Sequence, residues 1–233
     1  MSRSQQRIER WKVAPLTWLA AACVFHSGCS RPVPREALGW PADEPVILWT
    51  GRLDPVKGFE EMLAAFAEVA RQRPARLVLV GEGAYRPVVE RLVRELGLAK
   101  HVLLMGQRLD VPGLLKSADV FLFCSRTEGL PNAVLEAMAA ALPIVATDVP
   151  GCRDLVRHQE TGLLAAAGSP SDIARCVLAL IGHPARAGQL GRNARAWVCT
   201  HADTRSLADR WTNLYLDVLG GPQAVPAGAG RLV

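Results

Sequence analysis

From Val46 onward, short continuous apolar runs alternate with longer segments whose apolar positions recur every three or four residues. Val46-Ile47-Leu48-Trp49, Arg76 to Val80, His101 to Met105, Asp119 to Cys124, Pro143 to Thr147 and Gly162 to Ala165 have strand length. Phe59 to Arg73, Tyr85 to Leu96, Val111 to Ser117 and Asn132 to Ala141 have helical period. Uninterrupted apolar strands are buried on both faces, and strands separated by helices pair in parallel through right-handed crossovers. The pattern therefore predicts an α/β fold, a doubly wound parallel sheet of Rossmann-like type. Ser169 can cap a further helix, with Pro170 at its first position and Asp172 near its positive end. Two more helices are expected around Ala185 to Thr200 and Thr204 to Leu219.

This reading divides the chain into an N-terminal segment and linker (1–45), a Rossmann-like domain (46–219) and a flexible Gly/Pro/Ala-rich tail (220–233). In the first segment Arg3, Arg7, Arg10 and Lys12 precede an apolar stretch, Val13 to Phe25, which superficially resembles an export signal. The stretch is too short to cross a bilayer and Pro15 interrupts it, so a remnant segment is the favoured reading and the expected location is cytoplasmic.

Composition narrows the picture. Half of the 233 residues are apolar and 21% are charged, with only 6% aromatic, which fits a globular domain with an aliphatic core. The net charge of +5 comes from arginines spread along the chain, with no basic run, so nucleic acid is not an expected partner. A mildly basic surface suits an anionic nucleotide diphosphate or the anionic face of a membrane. The six cysteines show no metal-ligand spacing and read as reduced thiols; no metal is expected.

Loops that follow strands are where an open parallel sheet binds ligands, and three of them carry candidate chemistry. Gly51-Arg52-Leu53-Asp54-Pro55-Val56-Lys57-Gly58 follows the first strand. Arg52 offers a planar fork for phosphate oxygens and Lys57 a point charge, although in isolation both read more readily as solvated loop charges. Val80-Gly81-Glu82-Gly83 lacks the third glycine of a dinucleotide fingerprint, which disfavours a nicotinamide enzyme. Glu128 to Glu136 places one carboxylate in a loop and another a turn into a helix, with Pro131 expected at the first helical position. Backbone N–H groups from Gly129 to Ala133 would then form an anion site.

Taken together, Gly51-Arg52-Leu53 with Lys57-Gly58, the Glu128 to Glu136 segment, the run Glu136 to Asp148 and Thr161-Gly162-Leu163-Leu164 resemble the family-4-like retaining glycosyltransferases of the GT-B class. The resemblance covers about Val46 to Leu219 and is to the C-terminal, donor-binding half of such enzymes. It implies that Arg52 and Lys57 hold a diphosphate, that Glu128 meets hydroxyls of the donor sugar and that Glu136 binds the ribose. Backbone groups of Gly51, Gly129, Leu130, Pro131 and Asn132 would face phosphates and sugar, with Gly81, Gly106 and Gln107 near the base. It further implies a nucleotide-diphosphate sugar as co-substrate, no cofactor, and an acceptor glycan or glycolipid, in a setting that includes polysaccharide or glycolipid assembly at a membrane surface.

Two departures stand out. Ala141 occupies a position where the family often has glycine. Only about 45 residues precede the first strand, whereas a second Rossmann domain needs roughly 100 or more. The expected function is therefore donor binding for retaining sugar transfer that needs a separate or missing N-terminal acceptor domain. The alternative is a non-catalytic nucleotide-sugar-binding module.

Overall fold

The computed structural model describes residues 31–201 together with Thr212 and Tyr215. The expected remnant segment at 1–30, the helix at Thr204 to Leu219 apart from those two helical residues, and the tail at 220–233 lie outside the described residues. Strands β1 (Val46–Thr50), β2 (Arg76–Val80), β3 (Val102–Gly106), β4 (Val120–Phe123), β5 (Ile144–Thr147) and β6 (Leu163–Ala165) form one parallel sheet in the order β3-β2-β1-β4-β5-β6. Helices α1 (Phe59–Gln72), α2 (Arg86–Glu95), α3 (Val111–Ser117), α4 (Asn132–Ala139), α5 (Pro150–Arg153), α6 (Pro170–Gly182) and α7 (Pro184–His201) connect and flank it. This is the doubly wound architecture the alternation predicts.

The strands form where the apolar runs lie because both sheet faces are covered. All five residues of β1 and all four of β4 and β5 are buried. On α1 the buried residues Phe59, Met62, Leu63, Phe66 and Val69 repeat at helical spacing, and this stripe lies against the sheet and α6, which buries Ile173, Cys176, Val177 and Leu180. Ser169 caps α6 as expected, accepting from Asp172 N at 3.4 Å. Cys124, Cys152 and Cys176 are buried free thiols in this core, and Cys199 is exposed. Burial pushes the Cys152 thiol up to about 12, with Glu128 adding to the rise and Lys57 opposing it.

Several boundaries differ from the sequence reading for physical reasons. The 31–45 segment expected as a linker packs as part of the fold. Trp40 is buried, Ser117 donates to Val33 O at 2.7 Å, and the Arg35 guanidinium bridges Ser117 O at 3.0 Å and Asp119 at 2.7 Å. Asp119 precedes β4 instead of opening it, because its carboxylate accepts from Val46 N at 2.7 Å as well as from Arg35. Helix α4 stops at Ala139 because Ala141 adopts φ 60, the left-handed conformation that ends helices and favours glycine. The departure at Ala141 thus costs about 1–2 kcal/mol of backbone strain. Gly191 on α7 lets that helix approach, since a Cβ there would lie 2.1 Å from Ala141 O.

Candidate functional site

The strand order defines the place to look. The chain winds outward through β2 and β3, then returns to the other side of β1 for β4, β5 and β6, so the loops after β1 and β4 depart in opposite directions. Between them opens the crevice at the carboxyl ends of the strands, the topological switch point.

One wall is built from backbone. Gly51 N donates to Val80 O at 3.0 Å, Leu53 N to Glu82 O at 2.9 Å and Gly81 N to Gly106 O at 2.8 Å, which ties the loops after β1, β2 and β3 together. Gly81 has φ 140, and a Cβ there would lie 1.7 Å from Gly51 O. Its glycine is demanded by the neighbouring loop, whatever binds outside. Gly51 and Gly106 also have positive φ, and Gln107 beyond Gly106 is exposed.

The first loop then delivers a cation. Asp54 caps a short 3-10 turn, Pro55–Lys57, by accepting from Val56 N at 3.1 Å. Gly58 ends it at φ 65, packed so closely that a Cβ would lie 2.2 Å from Cys124 O. Lys57 is thereby aimed across the switch point, where its ammonium donates to Glu128 Oε1 at 2.5 Å and sits 5.5 Å from the Phe123 ring centre. Both partners are mostly buried, at 18% and 13% side-chain exposure. Arg52 differs. It is 77% exposed at the rim, 3.5 Å from Asp54, and is not gathered into the pair.

The other wall rests on side chains and on one glycine. Arg126 N donates to Val56 O at 2.8 Å, joining the loop after β4 to the turn that carries Lys57. The Arg126 guanidinium reaches both Glu61 oxygens and Glu60, each at 3.0 Å, and Tyr85 donates to Glu60. Burial lifts the Glu60 carboxyl, but the hydrogen bond from Tyr85, one from its own backbone N–H, and the charge and hydrogen bond of Arg126 outweigh it and hold the group below its ordinary value. Helix α5 backs the loop: a Cβ on Gly151 would lie 2.6 Å from Glu128 O and 2.7 Å from Gly129 O. Next to it, Arg153 pairs with Asp148 at 2.7 Å.

Helix α4 completes the crevice. Asn132 is the first helical residue, where the helical period begins, whereas Pro131, expected at the first helical position, is the residue before the helix, extended at φ −78 and ψ 96. The shift arises because Pro131 O already accepts from Val134 N at 3.0 Å, which makes Pro131 the half-in flanking residue. No side chain caps this helix start. Leu130 is half-buried beside it and Gly129 has open space where a Cβ would go. Glu136, one turn in, is half-buried with no side-chain partner among the described residues, and burial raises its carboxyl above the ordinary range. A carboxylate in that position has acceptor capacity left for an incoming donor.

The structure thus brings Lys57, Glu128, Gly129 to Asn132 and Glu136 to one crevice, with Gly51, Gly81 and Gly106 in its backbone wall and Arg52 at the rim. Sequence reasoning missed Arg126, the Glu60-Glu61 pair, Tyr85 and Gly151. The signal for the first two was present, since two acidic residues follow Lys57-Gly58-Phe59 directly and Arg126 lies two places before Glu128. Among the described residues, no cluster of His, Cys, Asp or Glu could hold a metal ion, and no helix is long and apolar enough to cross a membrane.

Fold and crevice together define a doubly wound α/β domain whose ligand edge joins a cation, two carboxylates and an uncapped helix start. The family described as glycosyl transferases group 1 matches residues 30–197, and the chain belongs to that family. It is 27% identical over 185 residues to N-acetyl-alpha-D-glucosaminyl L-malate synthase of Bacillus anthracis, covering 79% of this chain and 49% of that protein. The crystal structure of Anabaena Alr3699/HepE in complex with UDP-glucose superposes with a TM-score of 0.73 at 25% identity, covering 81% of this chain and 54% of that one. The C-terminal domain of a glycosyl transferase group 1 family protein, LpcC of Francisella tularensis, shares the fold at 21% identity with a TM-score of 0.67; the match covers 76% of this chain and 97% of that one. The chain spans about half the length of the curated relatives it matches.

Proposed function

We propose that the crevice binds a nucleotide-diphosphate sugar and that the domain serves as the donor half of a retaining glycosyltransferase, acting with an N-terminal acceptor-binding domain. The observation that carries this reading is the Lys57–Glu128 pair, held across the switch point beside the uncapped start of α4 and the unpartnered Glu136. The ammonium of Lys57 neutralises the diphosphate, with Arg52 closing over it from the rim. Glu128, freed in part from Lys57 by the incoming phosphate, accepts from sugar hydroxyls. Backbone N–H groups at the start of α4 face the phosphates and sugar. Glu136 accepts the ribose hydroxyls, and the β2 and β3 loops, with Gly81, Gly106 and Gln107, border the base.

In this reading the chain's contribution to transfer is electrostatic. A departing nucleoside diphosphate gains negative charge, and cations fixed beforehand in a crevice stabilise it more than mobile ones would. No metal is required for that role. The acceptor, a glycan or glycolipid, is brought by the N-terminal domain, which also excludes water. The setting we propose is the cytoplasm, at or near the membrane surface.

Calorimetric titration of the full chain with UDP, GDP and ADP tests the reading. Saturable binding of at least one of them is expected, and no heat or thermal shift with any of the three would sink it. Transfer is tested separately by adding a nucleotide-diphosphate sugar and an acceptor with and without an N-terminal partner domain. Binding without transfer under every pairing would favour the non-catalytic module.

A further inference from the structure

Two glutamates, Glu60 and Glu61, begin α1 directly beyond the turn that carries Lys57. Acidic residues favour a helix N-terminus, but here they stand beside a site read as anion-binding. The spacing is close, for a Cβ on Gly58 would lie 3.3 Å from Glu61 Oε2. Left unbalanced, two carboxylates on the helix that follows the Lys57 turn would oppose the diphosphate that Lys57 is there to attract.

Arg126 balances them. Its Nε and Nη2 engage both oxygens of Glu61 in a fork, and Nη2 also reaches Glu60. Tyr85 occupies the other oxygen of Glu60. The Glu61 side chain is only 19% exposed, so solvent screens it weakly. Arg126 is also placed to act on the site itself: its Nη1 lies 3.4 Å from Pro55 O, its backbone N–H holds Val56 O at 2.8 Å, and Glu128 follows two residues later. Lysine would supply the charge but not the fork.

Resting on the donor-site reading, we infer that Arg126 is a positioning residue for the nucleoside diphosphate: it cancels the Glu60-Glu61 charge and joins the Lys57 turn to the Glu128 loop, without touching the ligand. The role differs from that of Arg52, which lies at the rim with 77% of its side chain exposed, 3.5 Å from Asp54, and is read as meeting phosphate directly.

The test measures affinity of the full chain for whichever of UDP, GDP and ADP binds best. No binding by the wild type defeats the donor-site reading, whereas wild-type binding leaves the inference to be decided by variants. Arg126→Gln is expected to weaken binding about tenfold at low salt, with a smaller deficit in 0.5 M NaCl, and Arg126→Lys to lose less than Arg126→Gln. Adding Glu60→Gln and Glu61→Gln to Arg126→Gln should restore affinity to within about threefold of wild type, a recovery that a purely structural arginine would not give. Wild-type affinity in Arg126→Gln, or a triple variant no tighter than the single one, overturns the inference. Should Arg126→Gln fail to fold, the triple variant decides alone, and a folded triple variant binding tenfold more weakly than wild type overturns it.

Discussion

The loops after β1, β2 and β3 are held to one another by backbone hydrogen bonds and by glycines packed against carbonyls, whereas the loop after β4 is held largely by charged side chains. The first wall takes its shape from backbone contacts, and a Cβ added at Gly81 would collide with the Gly51 carbonyl. The second can be adjusted through the ionisation and screening of Lys57, Glu128, Arg126, Glu60 and Glu61. A crevice of this kind has a fixed wall to define register and a responsive one to meet a charged ligand. Substitutions on the two sides should accordingly fail in different ways, one through folding and the other through affinity.

The largest effect is expected on the backbone wall. Gly81→Ala would force a Cβ to within 1.7 Å of Gly51 O at φ 140, and should cost about 3 kcal/mol or more in urea or thermal unfolding. Gly151→Ala comes next. Its Cβ would meet Glu128 O and Gly129 O at 2.6 and 2.7 Å, so a stability loss of about 1–3 kcal/mol should come with weakened nucleoside diphosphate binding, because the Glu128 loop must shift. A stable Gly151→Ala protein with unaltered affinity would mean that α5 does not position the loop.

On the responsive wall, Lys57→Ala should reduce nucleoside diphosphate affinity at least tenfold, or about 1.4 kcal/mol, while leaving the mostly buried Glu128 without its partner. Glu136→Gln separates binding from folding. Burial raises the folded-state pKa of Glu136 above its unfolded value of about 4.3, so the native state loses stability as pH rises from there through the folded-state pKa. Removing the ionisation should therefore raise the Tm at pH 7–8 relative to wild type, with little gain at pH 4, and at the same time weaken binding. A Tm gain that is equal at both pH values would contradict this assignment. Gly129→Ala should do least to folding, within about 0.5 kcal/mol, since nothing lies within 4 Å of the added Cβ.

How much of this was legible in the sequence follows the same division. The strands could be read because burial on both faces writes a continuous apolar run, as in β1 and β4. The crevice could be located because glycines and charges follow those runs. What could not be read was set by contacts between distant segments. Asp119 left its strand for Arg35 and Val46 N, Trp40 drew the supposed linker into the core, and Pro131 flanks α4 without entering it. The Lys57–Glu128 pair was also hidden: each residue was legible as a candidate, but only the neighbouring of β1 and β4 brings them within 2.5 Å. The demand for glycine at Gly81 and Gly151 likewise comes from the carbonyls of other loops.

The central claim is that a nucleoside diphosphate binds at the switch point. Hydrogen–deuterium exchange of the full chain, with and without the tightest-binding of UDP, GDP and ADP, tests it most directly because it reports where protection falls. The account predicts slowed exchange in residues 51–58 and 126–136, reduced in Lys57→Ala. Protection instead around the cavity at the opposite strand ends, lined by Arg35, Asp43, Pro143 and Ile181, with none at 51–58 or 126–136, would contradict it.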